Sequence, residues 1–395
     1  MATPDVRIVP VTTQAQRRTF ASFPWTLYKN DPNWAPKIYM DHVAMLDPEK
    51  HPFWEHAKQQ LYLALRGDEL VGTVSAHVNY RHNEVHKDKV GFFGFFEVIE
   101  DYDVAKALLD AAADWLRQQG MKAIRGPENP SQNEEVGLLI DGFDRPPVLM
   151  MTYNPTYYED FLERYGLEKA QDLYAWIIRT DIFDKDVQRL PRKFLRVAER
   201  CKERANLAVR KLDMKQFDQE VERAKVVYNS AWEINWGFVP WTEHEIEHLG
   251  QELKFIIDPD LAYVALLNGE PVGISVGLPD VNQALIKARP QPNTWSLPWT
   301  LLKFLWHRRN IDTFRLMILG VIPEHRTLGI DAAMIVETAR AAFAKGYDYC
   351  EMSWILETND MMNRIIDRLG GTIYKTYRIY EKPLTDGDQS LPEEE

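Results

Sequence analysis

The stretch FRLMILGVIPEHRTLGIDAAMIVETARAAFAKG, residues 314–346, decides the fold. Its first nine residues are apolar except for Arg315 and predict a buried strand over 314–322. The apolar spacing that follows predicts a helix over about 329–345, separated from the strand by one short turn. A strand that runs directly into a helix presents free backbone N–H groups at the helix start, which is a geometry that binds anions. Gly329 lets the backbone approach a ligand closely, and Arg326 can add a charged contact to a phosphate.

The same order of elements occurs twice around this stretch. In the first half, a strand pair over 61–79 is followed by a strand (90–99), a helix (102–119) and a strand (122–126), and the half ends with a helix (156–166) and a strand (170–179). The second half repeats this order from a strand pair over 261–278 to a last strand over 372–382. Because strands alternate with helices, we predict an α/β fold with helices on the faces of the sheets.

The turn after residue 320 resembles the acyl-CoA pyrophosphate loop of the GNAT superfamily. That loop usually reads R-x-x-G-x-G or R-x-x-G-x-A, after a strand and before a helix. The positions that match are Val321, Pro323, Arg326, Gly329 and Ile330. The chain departs from the pattern at Asp331, where the family usually has a small residue, although a carboxylate suits the positive end of the helix dipole.

The resemblance implies a cofactor site and a fold. Two tandem GNAT-type domains, residues 1–180 and 181–385, would each have a mixed, strongly twisted central sheet flanked by helices, and 386–395 would be a disordered tail. Asn359 and Gly370 have the spacing with which GNAT enzymes open and end the helix after strand five. The acyl-CoA site would comprise Gly320, Val321, Ile322, Arg326, Thr327, Leu328, Gly329, Ile330, Asp331 and Asn359.

GNAT chemistry, as the resemblance implies it, is direct attack of a neutral amine on the thioester. The backbone around Gly320 to Ile322 would polarise the thioester carbonyl, and Glu351 would be the base, with Glu233 in reserve. The family's frequent general acid, a tyrosine, falls at Ile366 here, so Tyr374 and Tyr377 are the candidate replacements. The acceptor would contact Glu233, Trp236 and Ser353. Strand alternation puts Glu351 and Ser353 on one face, opposite Cys350 and Met352.

The first half keeps the order of the sheet but lacks the loop. The strand GFFGFFEVI leads through EDYD directly into a helix, with no Arg-x-x-Gly. We therefore expect the acyl-CoA site in the second half alone. Residues 126–158 form a long, Pro-rich loop, which we expect to close over the substrate site or to bridge the two domains.

Composition restricts the partners and the compartment. The formal net charge of −12 argues against a general nucleic-acid binder and leaves a small amine or amino-acid-like acceptor open. Cys201 and Cys350 are far apart in the chain, which favours a reducing compartment. No signal peptide or membrane-spanning run is evident, so we expect a cytoplasmic protein that is a monomer or a homodimer.

Three other patterns are given a structural interpretation. His244-Glu-Ile-Glu-His248 spells a zinc-peptidase signature, but Thr242 and Glu245 make a capping box that explains Glu245 without a metal. The segment 81–86, with two histidines four residues apart, is expected to be a solvated loop. The segment WSLPWTLLKFLWHRR, residues 295–309, could line a fatty-acyl tunnel or lie in a membrane interface, but we expect it to pack against the protein without membrane contact.

We therefore predict an acyl-CoA-dependent N-acyltransferase, using acetyl-CoA or another acyl-CoA and no metal, with an acceptor amine of unknown identity. One alternative is a catalytically weak acyl-CoA-binding or scaffold protein, which Asp331 and the missing tyrosine at Ile366 favour. Another is an aminoacyl transferase that uses charged tRNA, against which the acidic net charge argues.

Overall fold

The computed structural model describes residues 5–204, 206–232 and 235–384. Its strands are β1 (Val6–Pro10), β2 (Ala57–Arg66), β3 (Glu69–Asn79), β4 (Val90–Val98), β5 (Ala123–Gly126), β6 (Glu128–Asn129), β7 (Glu135–Val136), β8 (Leu138–Asp141), β9 (Glu168–Arg179), β10 (Leu207–Lys211), β11 (Ala262–Leu267), β12 (Glu270–Pro279), β13 (Thr313–Val321), β14 (Tyr349–Leu356) and β15 (Thr372–Pro383). Its α-helices are α1 (Gln14–Leu27), α2 (Tyr39–Met45), α3 (Tyr80–His86), α4 (Tyr102–Gln118), α5 (Tyr158–Arg164), α6 (Arg192–Lys202), α7 (Phe217–Ala231), α8 (Glu243–Leu253), α9 (Asn282–Ala288), α10 (Leu297–His307), α11 (Ile330–Lys345) and α12 (Asp360–Arg368).

The α/β architecture is confirmed, and the two halves share one sheet. Thirteen strands hydrogen-bond in the order β1-β2-β3-β4-β5-β15-β9-β14-β13-β12-β11-β10, with β8 paired to β15. The last strand of each half is exchanged: β15 lies between β5 and β9, and β9 lies between β15 and β14. Each half therefore completes the sheet of the other. The predicted tail, 386–395, lies outside the described residues.

Helices cover both faces of this sheet. In the first half, α4 packs on β1 to β4, and α1 packs on strands β2 to β4. In the second half, α11 packs on β10 to β13 and is covered by α6, while α7 packs on β12 and β13. The core of the second half contains Trp176 and Ile178 from β9, and the core of the first half contains Tyr380 from β15. The exchange therefore extends to the hydrophobic cores.

One predicted loop is wrong: residues 80–86 form the helix α3. The side chain of Asn79 accepts a hydrogen bond from the His82 N–H and caps the helix start. His82 is buried against Phe92 of β4, whereas Glu84, Val85 and His86 are exposed, so the segment is a helix that is solvated on one side. Among the described residues, no helix combines the length and apolar composition that a bilayer crossing requires.

Candidate active site

A gap opens in the second half of the sheet where β13 and β14 separate. These parallel strands pair only from Thr313–Arg315 to Tyr349–Glu351. Beyond that point a cavity of about 170 Å³ lies between the strands and the helices α11 and α12, and we call it the strand-gap cavity. Its lining is mainly apolar, with residues from the two strands and from α11 and α12: Leu316, Met317, Leu319, Cys350, Met352, Ala339, Ala342, Ile365 and Ile366.

A bulge in β13 lies beside this cavity. Val276 of β12 pairs with Ile318 and the next residue, Gly277, pairs with Leu316, so Met317 is the extra residue. Bulges turn the backbone and re-aim its polar groups, which makes the backbone around Met317 a candidate donor to a thioester carbonyl. The sequence predicts this role for the backbone of Gly320 to Ile322 and not for Met317, because the register of a strand with its neighbour cannot be read from the residues. A Cβ on Gly320 would lie 2.3 Å from the ring of Trp232, so this ring covers the glycine.

The corresponding gap in the first half is filled by the chain itself. Strands β4 and β5 also pair over only three positions, Val90–Phe92 with Ala123–Arg125. The β6 strand enters the opening: a Cβ on Gly94 would lie 1.7 Å from the carbonyl oxygen of Glu128. The Asn129 Oδ1 accepts the Phe95 N–H, at the bulge of β4. This half therefore has neither a free gap nor a free bulge N–H in that place.

The predicted phosphate loop forms a 3-10 turn, Pro323–Leu328, followed by Gly329 with φ 78° as the N-cap of α11. Within the described part of the chain no side chain caps α11, so its first N–H groups, from Ile330 onward, are candidate donors to an anion. Arg326 does not extend freely: its guanidinium donates to the carbonyl oxygens of Val321 and Ala231 and so anchors the turn to the end of α7.

Helix α6 adds positive charge to the same place. Its Val197 contacts Gly329, since a Cβ on that glycine would lie 2.5 Å from the Val197 Cγ1. The helix carries four exposed cations along its length: Arg192, Lys193, Arg196 and Arg200. Together with the open start of α11, these cations make this end of the gap attractive to phosphate groups. Within the turn itself, Thr327 is exposed, whereas Leu328 packs against the core.

Glu351 lies fully buried on β14 at the point where the strands begin to separate. The Tyr374 hydroxyl donates to its Oε1 at 3.2 Å, and the Arg315 Nε lies 3.8 Å from its Oε2. Burial raises the pKa of the Glu351 carboxyl to about 7, although Arg315 opposes the shift. Burial and the nearby Glu351 raise the pKa of Tyr374 well above its usual value. Cys350 and Met352, its neighbours, line the strand-gap cavity, so Glu351 faces the other side of the sheet.

The other predicted catalytic, substrate-binding and cofactor-binding residues lie at several places around Glu351 and the strand-gap cavity. Tyr377 is buried near Glu351, and burial raises the pKa of its hydroxyl. Ser353 and Asn359 both line the strand-gap cavity, and Asn359 caps α12 by accepting the Met362 N–H. Trp236 lies at the junction of the halves, where Arg125 stacks 4.9 Å from its ring centre. Glu233 lies outside the described residues.

A second, larger cavity of about 810 Å³, the interface cavity, lies between the two halves. Helices α1 and α2 of the first half face α8, α9 and α10 of the second across it. Six carboxyl groups and one lysine, Lys37, line it within the described chain; the acids are Asp41, Glu97, Glu134, Glu135, Glu245 and Glu252. Burial raises the pKa of Glu97 to about 7, and burial with neighbouring carboxylates raises that of Glu134.

The long loop of the first half joins these two regions. The Leu149 N–H donates to the Asp280 carboxylate, and the Leu149 carbonyl accepts from Arg315. Leu149 also lines the interface cavity and packs in the same apolar cluster as Met317. The loop therefore bridges the halves through Leu149.

Comparison with known proteins relates this geometry to a family. The sequence model of the Acetyltransferase (GNAT) family matches residues 27–133. A protein named bacterial ceramide synthase, from Caulobacter vibrioides, is 36% identical over 390 residues, which is 96% of this chain and 98% of that protein. The chain belongs to the GNAT superfamily. Protein YghO of Escherichia coli is 35% identical over 375 residues, 93% of each chain.

Solved GNAT structures share the fold over the whole chain. A tandem GNAT protein from the clavulanic acid biosynthesis pathway superposes with a TM-score of 0.56 at 10% identity, covering 97% of this chain and 100% of that one. A GCN5-related N-acetyltransferase from Sphaerobacter thermophilus gives 0.52 at 13% identity, covering 98% of both. The match confirms the fold of two GNAT-like domains in tandem. The GNAT family to which the sequence belongs acts on small-molecule acceptors by acyl transfer.

The zinc-peptidase pattern on α8 has its own explanation within this GNAT fold. The capping box between Thr242 and Glu245 is present. His244 contacts Glu55, and His248 lies 3.4 Å from Glu252. Among the described residues, the three side chains with ligand spacing are the exposed Glu222, Glu243 and Glu247, and neither histidine belongs to that group.

Proposed function

We propose that this protein is an N-acyltransferase that moves an acyl group from acyl-CoA, bound in the second half, to the amine of an amphipathic acceptor. The observation that carries the proposal is the contrast between the two gaps. The gap beside β13 holds a cavity and leads to an uncapped helix start, whereas the gap beside β4 is filled by Glu128 and Asn129.

The strand-gap cavity favours an acyl chain longer than acetyl. Its lining is mostly apolar and extends from the bulge at Met317 down to Phe314 and Phe343. An apolar cavity of about 150 Å³ is enough to take up a small hydrocarbon. The CoA phosphates would lie at the start of α11, beside the cations of α6.

The interface cavity favours a cationic acceptor with an apolar chain. Its walls combine aromatic and aliphatic residues with six carboxyl groups, and an ammonium group is stabilised where carboxylates crowd together. A sphingoid amine has this chemistry, and the relative from Caulobacter is named a ceramide synthase. In the reaction a C–N bond forms and the C–S bond breaks. Glu351 would take one proton from the bound ammonium so that a neutral amine attacks, Tyr374 would give a proton to the leaving thiolate, and the tyrosinate would recover a proton from the nitrogen as the amide forms.

The remaining features are consistent with this proposal. Both cysteines are free, which fits a reducing compartment such as the cytoplasm. An acyl-CoA-binding protein without turnover is the alternative, since Ile366 occupies the position of the usual tyrosine and is buried.

The test is turnover of purified protein with sphinganine and either hexanoyl-CoA or acetyl-CoA, followed by thiol release and by mass of the amide. Ala339→Phe fills the strand-gap cavity and should lower kcat/KM for hexanoyl-CoA by about ten-fold or more, with a smaller effect on acetyl-CoA. Ala344→Phe, on the exposed side of the same helix, is the matched control. Binding of acyl-CoA without thiol release to any amine would establish the alternative, and no binding would overturn both.

A further inference from the structure

Helix α10 presents two different faces. Leu297, Leu301 and Phe304 line the interface cavity. Trp299, Leu302 and Trp306, at helical spacing on the other side, point to solvent. The helix is thus a wall of the cavity on one side and a free surface on the other.

The free face is apolar to a degree that is unusual for a surface helix. The side chains of Trp295, Trp299, Leu302 and Trp306 are 89%, 69%, 60% and 69% exposed. A surface helix normally turns its apolar side to the core, and a contiguous exposed apolar patch marks an interaction site. The sequence expectation that this segment packs against its own protein is therefore wrong for this face.

The charge around α10 is opposite to that of the whole chain. No acidic residue occurs between Asp280 and Asp312, although the chain has a formal net charge of −12. The same interval contains Lys287, Arg289, Lys303, Arg308 and Arg309. An amphipathic helix with tryptophans on one side and cations at its edge binds in the interface of anionic membranes.

We propose that α10 docks the protein on the surface of an anionic phospholipid bilayer. The helix lies in the plane of the interface, with Trp299 and Trp306 at the level of the headgroups and Arg308 and Arg309 on the phosphates. The interface cavity then lies directly behind the docked helix. If the proposed function holds, an amphipathic acceptor enters the cavity from the lipid, but the docking itself does not depend on that function.

A second copy of the chain is a less suitable occupant. An isologous contact would bring the cations of one α10 segment against the same cations of the other, with no carboxylate in either segment to balance them.

The position of α10 on the protein is fixed at its start. The Trp25 indole N–H donates to the Pro290 carbonyl at 2.7 Å, which ties the α9–α10 connection to α1.

The experiment is flotation of the full chain with vesicles of phosphatidylcholine alone and of phosphatidylcholine with phosphatidylglycerol. We expect binding to the anionic vesicles that weakens with salt. Trp299→Glu with Trp306→Glu should lower the partition coefficient by on the order of 100-fold. Arg308→Gln with Arg309→Gln should lower it by about ten-fold on anionic vesicles only.

Val85→Glu with Val226→Glu, two exposed apolar residues elsewhere, is the matched control and should bind as the unmodified chain does. Circular dichroism and thermal unfolding are measured on every variant and should be unchanged, which shows that each has folded whether or not acyl-CoA binds. Equal vesicle binding by the tryptophan variant, or no binding by the unmodified chain, overturns the proposal. A dimer that the tryptophan variant separates, with no vesicle binding, assigns the face to a second copy instead. Vesicle binding without turnover would leave the docking standing and the proposed acyl transfer refuted.

Discussion

Glu351 illustrates how one residue acquires a chemical role from its position in the sheet. Its carboxyl is fully buried, yet it lies at the last paired position before β13 and β14 separate. The alternation of side chains along β14 is enough to predict that it faces away from Cys350 and Met352. The partner Arg315 and the raised pKa could not be predicted, because they depend on which strands become neighbours.

We expect Glu351→Gln to lower kcat by about 100-fold or more while leaving acyl-CoA affinity intact, since only proton transfer is lost. A base acts when deprotonated, and burial raises the pKa of Glu351 to about 7. The kcat of the unmodified chain should therefore rise with pH through about 7 and then level off, and the variant should lose this rise. The measurement is the pH profile of thiol release. A variant with unchanged kcat would exclude Glu351 as the base and direct the search to the interface cavity.

At the element scale, the two halves use the same strand pair in two ways. In the second half the gap between the strands is left as a cavity, and in the first half the β6 segment fills it. The carbonyl of Glu128 and the side chain of Asn129 occupy the opening that corresponds to the strand-gap cavity of the second half. The long loop, residues 126–158, therefore has two structural roles. Its β6 segment plugs the opening in the first half, and its Leu149 connects the loop to the second half.

Gly94 and Gly320 provide a matched test of this difference. Gly94→Ala would drive a Cβ into the Glu128 backbone, and we expect it to lower the free energy of unfolding by about 3 kcal/mol or more. Gly320→Ala meets the far edge of the Trp232 ring, which can move, and approaches the Ala231 Cβ to 3.1 Å, so its cost should be about 1–2 kcal/mol. Urea unfolding of both variants measures this. A larger loss for Gly320→Ala would mean that the plug is loosely held.

The order of the elements could be predicted because periodicity and turn chemistry are local. The strand and helix of the segment 314–346, the capping box at Thr242 and the helix opened by Asn359 all follow from neighbouring residues. Contacts between distant segments were not predictable in the same way. Arg326 matches the family pattern, yet its guanidinium binds the carbonyl of Ala231 from another helix. The exposure of α10 is also a tertiary property, since its composition alone fits either a buried or an interfacial helix.

At the scale of the whole molecule, the exchange of β9 and β15 places the last strand of each half in the sheet of the other. Neither strand could be assigned to the opposite half from its sequence, because an apolar strand of either half satisfies the same pattern. Tyr380 of the last strand is buried in the first core, and Trp176 of the first half is buried in the second. Domain boundaries drawn along the chain therefore do not separate the two cores in space.

This exchange predicts that a destabilising substitution in one core also destabilises the other core. Tyr380→Ala should lower the free energy of unfolding by about 3–5 kcal/mol. Its site lies in the first core, but its strand also closes the sheet onto β9 and so supports the second half. Hydrogen exchange of the helices α4 and α11 should show equal losses of protection, because the two cores open together. Trp176→Ala, the reciprocal change, should give the same pattern. If α11 kept its protection while α4 lost it in Tyr380→Ala, the halves would unfold independently and the shared strands would be no more than a contact between two separate domains.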